Sequence, residues 1–255
     1  MTLMTRMELR RIFQQRLVYF FLALFVLAVI AYSGLLTTAE LRPLVDADER
    51  ILGGSYFPEF MLRFYSTNVG ALFMAIITAL YICEDRQAGL LVQPLLHGRT
   101  KKEVLDAKIG MLCLFSFVMV AAIALIVYIV SFFRWGGEML TTPILAQSLS
   151  KYALVALSFL PLELFLILLA CYAKQTIIVV GETFLFLMLF GFLNQEVPQA
   201  ARFFPLYYPY EWVIKHEFRS LQLAEIWPGL LIFLLYSVLL YLLIVSRRNK
   251  ITFDR

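Results

Sequence analysis

The hydrophobic residues of this chain fall into long unbroken runs separated by short polar segments. A helix rises 1.5 Å per residue, so about 20 apolar residues cross the roughly 30 Å hydrocarbon core of a bilayer. Six runs reach or approach this length, at residues 17–36, 64–83, 109–133, 152–173, 176–193 and 227–245. The pattern therefore predicts six transmembrane helices.

Helices are the expected form of these runs. Lipid offers the backbone no hydrogen-bond partners, so a spanning segment is either a helix or a strand of a closed barrel. The runs lack the alternation of apolar and polar residues that is typical of barrel strands. Composition agrees, since the chain is 62% hydrophobic and 16% charged, against about 45–50% and 25% in globular proteins. Residues 1–255 are predicted to form a single all-α membrane domain.

The distribution of lysine and arginine predicts the orientation of the six helices. With the N-terminus inside, 14 of the 22 basic residues lie in inner segments that total 53 residues, and 8 lie in outer segments that total 78 residues. Cytoplasmic segments are enriched in lysine and arginine. We therefore expect both termini in the cytoplasm. The inner segments are then an N-terminal segment at 1–16, a loop at 84–108, a turn at 174–175 and a C-terminal end at 246–255.

The largest predicted outer segment covers residues 194–226 and is rich in aromatic residues and prolines. Amphipathic aromatic rings favour the headgroup level of a membrane. We therefore predict short interfacial or re-entrant helices in this extracellular segment.

Loop 84–108 is the one substantial inner loop that the pattern predicts. Charged residues end the second span, an apolar piece follows at 90–96, and Gly98 then interrupts the chain. Thr100 and Glu103 form a capping-box pattern, which predicts the start of the third helix. Because the apolar piece lies beyond the bilayer, it either rests on the membrane interface or on neighbouring helices, or it docks another protein.

This loop resembles that of ABC-2-type permeases, the six-helix membrane subunits of bacterial ABC exporters. In that family an acidic and a basic residue, Gly-Thr, a short apolar helix, Ser-Arg and a lysine often follow the second span. Seven residues of this chain fall in that register: Asp85, Arg86, Gly89, Gly98, Thr100, Lys101 and Lys108. The chain departs from it at Leu90, which replaces the threonine, at Val92, where a charge is common, and at Pro94 within the short helix.

The resemblance implies a permease fold without catalysis of its own, in the bacterial cell membrane. Two such subunits, identical or homologous, would pair, and a separate ATPase subunit would bind beneath each. ATP and Mg²⁺ would belong to the partner chains. Residues 1–16 would form an elbow helix, and the short helix of the loop, with Leu91 and Leu95, would receive the ATPase movement. The cargo would be hydrophobic or peptide-like, with antimicrobial-peptide export or immunity a common theme, and no nucleic-acid partner is expected.

The sequence carries no motif of an ATPase, a metal site or a disulfide. It lacks the Gly-x-x-x-x-Gly-Lys-[Ser/Thr] loop that cradles phosphates, so we expect no ATP hydrolysis by this chain. His97 and His216, the two histidines, belong to no zinc motif. The cysteines have no pairing or ligand spacing, and they are Cys83, Cys113 and Cys171. No cofactor bound by this chain is expected.

Glu163 and Glu182 are the two acidic residues deep within predicted spans. Each lies about ten residues from the turn that joins the fourth and fifth spans, roughly 14 Å in and near the midplane. A charge there costs at least roughly 2.5–3.5 kcal/mol on insertion scales, so both are expected to be protonated, paired or facing water.

Two interpretations of these carboxylates stay open. In one, both are neutral and make hydrogen bonds between helices; in the other, Glu182 faces the transport path. If the chain is an ATP-independent secondary transporter instead of an ABC permease, Glu163 and Glu182 would form its proton or ion relay. A third alternative is a membrane factor that sequesters a ligand without moving it.

Overall fold

The protein is described here from a computed structural model, which describes residues 8, 10–35, 49–90, 93–136, 142–173, 175–215 and 220–247. Over these ranges the chain forms helices and turns, without a strand. Five of the described helices are long and apolar enough to cross a membrane. The chain is therefore an all-α multi-pass membrane protein, as the hydrophobic pattern predicts.

The helices used below are labelled in chain order. They are α1 Arg16–Leu35, α2 Glu49–Phe64, α3 Gly70–Ala79, α4 Gln93–Leu96, α5 Lys101–Trp135, α6 Thr142–Tyr172, α7 Thr176–Glu196 and α8 Leu223–Arg247. The five candidate spans lie in α1, α5, α6, α7 and α8. Several helices extend beyond the apolar runs, since polar residues continue the helix outside the lipid-facing length; α5 begins eight residues before the predicted span at 109–133.

The predicted second span, 64–83, is helical but is not one regular α-helix. Two π-helical turns, Tyr65–Val69 and Leu80–Glu84, flank α3. The backbone stays in the right-handed helical region at the junctions, so residues 49–87 form one continuous helical stretch. The π turns divide this stretch into shorter α-helices, and it is therefore not among the five candidate spans. A sixth span stays a prediction.

Helix α6 lies at the centre of the bundle, and α1, α7 and α8 lie at its edge. The most apolar part of α6 is 67% buried, against 22% in each of the three edge helices. α6 packs against α5, α8, α2 and α3, whereas α1 packs mainly on α5 and α7 mainly on α3. The edge helices present apolar outer faces, for example at Leu27, Leu185 and Leu234. Such faces suit contact with lipid or with another subunit.

The aromatic segment after α7 folds back onto α6 and α8. It forms helical turns at Pro198–Ala201 and Tyr207–Tyr210. Trp212 is buried, and its indole N–H donates to the Glu225 carbonyl at 3.1 Å. A Cβ on Gly229 of α8 would lie 2.4 Å from the Trp212 ring, so this close approach requires glycine.

Candidate functional site

Asp85 lies at the base of the first loop, where two cations of other segments meet it. The residue is 1% exposed. Lys108 Nζ of α5 donates to Asp85 Oδ2 at 2.6 Å. Arg11 Nη1, from the segment before α1, donates to the same oxygen at 2.9 Å, and its Nη2 donates to Oδ1. Bidentate guanidinium–carboxylate pairs of this kind are strong and fix the orientation of both groups. Asp85 therefore joins the N-terminal segment, the 49–87 stretch and α5.

Glu8 and Tyr81 complete this cluster. The Tyr81 hydroxyl donates to Glu8 Oε2. Lys108 Nζ lies 3.7 Å from Glu8 Oε1 and 3.9 Å from the centroid of the Tyr81 ring, a distance at which a cation is attracted to the ring face. Two carboxylates thus face two cations, which compensates the burial of Lys108 and Asp85. We call Glu8, Arg11, Tyr81, Asp85 and Lys108 the inner cluster.

Electrostatics keep Arg11 charged within the inner cluster. Partial burial lowers the pKa of its guanidinium, but the hydrogen bonds to Asp85 and the negative charges of Asp85 and Glu8 raise it more. The pKa of Arg11 consequently lies above its usual value, and its guanidinium stays protonated at every physiological pH.

Arg86 binds the C-terminal end of α6. Its guanidinium donates to the carbonyls of Ala170 at 3.0 Å, Cys171 at 2.7 Å and Ala173 at 2.9 Å. The last carbonyls of a helix have no partner within the helix, and a cation there is also favoured by the helix dipole. Asp85 and Arg86 are adjacent in the sequence. Through these two residues the end of the 49–87 stretch is bonded to both α5 and α6.

The loop itself turns at two glycines. Gly89 and Gly98 have φ angles of 68° and 77°, in the left-handed region that favours glycine. At the first turn the Leu90 N–H donates to the Asp85 carbonyl at 2.8 Å and ends the helical stretch. At the second, Thr100 caps α5: its hydroxyl accepts from the Glu103 N–H at 3.2 Å. The capping box predicted from the sequence is confirmed.

Between these two turns lies the short helix α4. Leu95 packs against the core of the bundle, whereas Leu96 is 79% exposed. Lys101, at the start of α5, is also exposed. Leu91, predicted to contribute to this helix, lies outside the described residues. The predicted loop residues that the structure brings together are Asp85 and Lys108, with Arg86 on the adjoining helix end.

The two predicted mid-membrane carboxylates are not brought together. Glu163 of α6 is fully buried, and the Thr78 hydroxyl of α3 donates to its Oε1, which is an interhelical hydrogen bond. Glu163 Oε2 and the buried Tyr65 hydroxyl have no hydrogen-bond partner. Glu182 is exposed on α7. Among the described residues no hydrogen bond or ion pair joins Glu163 to Glu182, and a role in a relay stays a prediction.

A second buried ion pair lies in the first half of the 49–87 stretch, far from Asp85. Lys151 of α6 is 0% exposed, and its Nζ donates to Glu59 Oε2 at 2.6 Å. The Gln147 amide donates to Glu59 Oε1 at 2.9 Å. The sequence gives little sign of this pair, because Glu59 and Lys151 lie 92 positions apart and each stands in a segment that the sequence predicts to be outside the membrane core.

Comparison with models of protein families, with curated proteins and with solved structures gives no match. The resemblance to ABC-2-type permeases therefore rests on the loop residues and the helical pattern alone. The part of the chain that the structure describes also holds no group of three or more His, Cys, Asp or Glu residues able to bind a metal ion.

Proposed function

We propose that this chain is the membrane-spanning permease subunit of an ATP-binding cassette exporter. Residues 64–83 would form a sixth span, both termini would be cytoplasmic, and a separate ATPase subunit, which carries ATP and Mg²⁺, would bind the first loop. The observation that carries the proposal is the double attachment at the base of this loop. Asp85 binds the N-terminal segment and α5, and Arg86 binds the end of α6.

This attachment is suited to passing a movement from the loop into the membrane. Breaking a buried ion pair by removing one partner costs about 3–5 kcal/mol, so the charged groups around Asp85 tend to move together. A displacement of α4 acts on Asp85 through the turn at Gly89 and on α5 through the turn at Gly98. Helix ends from three parts of the chain would then shift as a unit.

Helix α4 offers one exposed apolar side chain to a partner protein. Its Leu95 is packed on the bundle while the neighbouring Leu96 is 79% exposed. In the predicted orientation α4 lies in the cytoplasm, where the ATPase subunit would cover Leu96.

A second permease subunit, identical or homologous, would complete the translocation path. The outer face of α7 is apolar, with Leu185 and Leu189 exposed, and Glu182 lies on the exposed side of the same helix. A carboxylate that faces lipid near the midplane is costly, and contact with another subunit or with a water-filled path would relieve that cost. The implied cargo is hydrophobic or peptide-like, and the implied location is the bacterial cell membrane.

Affinity purification from native membranes tests the proposal. The tagged chain should bring with it a subunit that contains a phosphate-binding loop and hydrolyses ATP. Leu96→Asp should weaken this association, since it places a charge on the exposed face of α4. Val197→Asp is the matched control, because Val197 is also exposed but follows α7 at the opposite end of the bundle. The permease proposal is wrong if the chain purifies without an ATPase and no ATPase binds it in native membranes.

One observation favours the alternative of an ATP-independent secondary transporter. Glu163 Oε2 and the Tyr65 hydroxyl are both buried without a hydrogen-bond partner, an arrangement that would suit a transient proton or ion. The distinguishing measurement is substrate flux in reconstituted vesicles that lack ATP. Flux driven by a proton gradient alone would favour the secondary transporter.

A further inference from the structure

A cavity of about 320 Å³ lies between the C-terminal end of α7, the start of the π turn after α2 and the folded-back aromatic segment. Helix α7 starts beside the end of α6, so this cavity is at the end of the bundle opposite to the inner cluster. Small-molecule sites occupy about 300–1,000 Å³, and this volume therefore suits a small ligand or a head group. Its polar lining residues are Arg63, Ser66, Asn194, Gln195 and Tyr210.

A second cavity, of about 110 Å³, adjoins the first. Its walls are apolar and aromatic, with contributions from α6, α7 and α8. Leu206 lines both cavities, and the adjacent α7 residues Phe186 and Leu187 line the second and the first respectively. The polar cavity and the apolar cavity therefore share the Leu206 side chain as part of their walls. This is the arrangement that fits an amphiphilic molecule.

The polar cavity has two features that select a ligand. Arg63 is the one charged residue among the described residues that line it. Asn194 Oδ1 is buried and has no hydrogen-bond partner. A buried acceptor of this kind is costly when left unsatisfied, and an N–H or O–H of a ligand would satisfy it. A guanidinium in turn prefers an anion.

We infer that the two cavities bind a single-chain amphiphile whose head carries both an anion and an N–H or O–H donor. The anion pairs with Arg63, the donor binds Asn194 Oδ1, and the chain passes Leu206 into the apolar cavity. This inference goes beyond the proposed function, since binding at this end of the bundle requires neither an ATPase nor transport. Its failure would therefore leave the permease proposal untouched.

Four matched probes separate the parts of this ligand. N-dodecanoylglycine has the chain, the amide N–H and the carboxylate. Its glycinamide analogue lacks the anion, N-dodecanoyl-N-methylglycine lacks the donor, and N-acetylglycine lacks the chain. Binding of the radiolabelled probes is measured on the full chain in nanodiscs of zwitterionic phospholipid, and empty nanodiscs give the partition into lipid that is subtracted.

We expect saturable binding of N-dodecanoylglycine above the lipid background, and weaker binding of each of the other three probes. Arg63→Gln should lower the affinity for N-dodecanoylglycine by about tenfold or more, as expected when a charge-assisted hydrogen bond is lost. Arg134→Gln is the control, since Arg134 is another exposed basic residue at this end of the bundle and does not line the cavity. It should leave the affinity unchanged.

The donor is tested by combining a probe with a variant. Asn194→Leu should lower the affinity for N-dodecanoylglycine by about three- to tenfold, which is the range expected for the loss of one neutral hydrogen bond. In this variant N-methylation of the probe should have no further effect, because the acceptor is already absent. The inference is overturned if no binding exceeds that of empty nanodiscs, if Arg134→Gln weakens binding as much as Arg63→Gln, or if N-methylation weakens binding equally with and without Asn194.

Discussion

Replacement of Asp85 by asparagine removes the charge at the centre of the inner cluster and keeps the size of the side chain. Lys108, whose side chain is 4% exposed, then loses its ion pair at 2.6 Å, although the amide oxygen of asparagine can still accept its N–H, and its remaining carboxylate, Glu8, lies farther away at 3.7 Å. Loss of one partner of a buried pair costs about 3–5 kcal/mol. We expect the lower end, about 3 kcal/mol, because Glu8 remains and Arg11 is exposed enough to be solvated.

The measurement is the free energy of unfolding of the purified chain, from titration of mixed micelles with a denaturing detergent. Asp106→Asn is the matched control on α5. Asp106 accepts a hydrogen bond from the Tyr241 hydroxyl at 3.2 Å, and the amide oxygen of asparagine accepts the same bond. Its effect should stay within about 0.5 kcal/mol, as for most surface substitutions.

A double-mutant cycle separates the ion pair from other effects of the substitution. Lys108→Met removes the buried cation, so adding it to Asp85→Asn should recover part of the lost stability. The two changes should therefore be strongly non-additive, since contacting residues couple by about 0.5–3 kcal/mol. Additive effects of the two changes, or a loss below about 1 kcal/mol for Asp85→Asn, would refute the reasoning that Asp85 and Lys108 form a buried pair.

Two further predictions concern other sites. Gly229→Ala should destabilise the chain by about 1–3 kcal/mol in the same unfolding assay, because the added Cβ overpacks against Trp212. Gly181→Ala is the control and should be neutral or stabilising, because nothing lies within 4 Å of its added Cβ. Glu182→Gln should alter export in reconstituted vesicles if Glu182 faces the translocation path, with the largest change for cationic substrates; transport that is unchanged across pH and substrate charge would remove Glu182 from substrate selection.

Much of the helical framework can be predicted from the sequence, because an apolar run in lipid has almost no alternative to a helix. The runs at 17–36 and 176–193 correspond closely to α1 and α7. The start of α5 is also encoded locally, since Thr100 and Glu103 are three residues apart and satisfy each other's backbone N–H groups. Signals of this kind depend only on residues that are close in the sequence, so they can be recognised before the fold is known.

The partners in the inner cluster could not be predicted in the same way. Arg11 has Glu8 three positions before it in the sequence, but no local signal indicates its main hydrogen-bond partner. Its partner, Asp85, is 74 positions away. The π turns were missed for a different reason: Tyr65–Val69 contains neither glycine nor proline, so no local signal interrupts the helical pattern there.

The positions of the two buried ion pairs bear on whether residues 64–83 span the membrane. Glu59 and Asp85 lie 26 positions apart on one continuous helical stretch. At 1.5 Å per residue they are separated by about 39 Å, which is close to the roughly 40–45 Å of a bilayer with its headgroup regions. Each carboxylate meets a lysine, Lys151 at one end and Lys108 at the other. This spacing supports the proposal that residues 64–83 span the membrane, since the residues between the two pairs are mostly apolar. The π turns change the winding of this segment without interrupting the helical stretch, so they are compatible with that proposal.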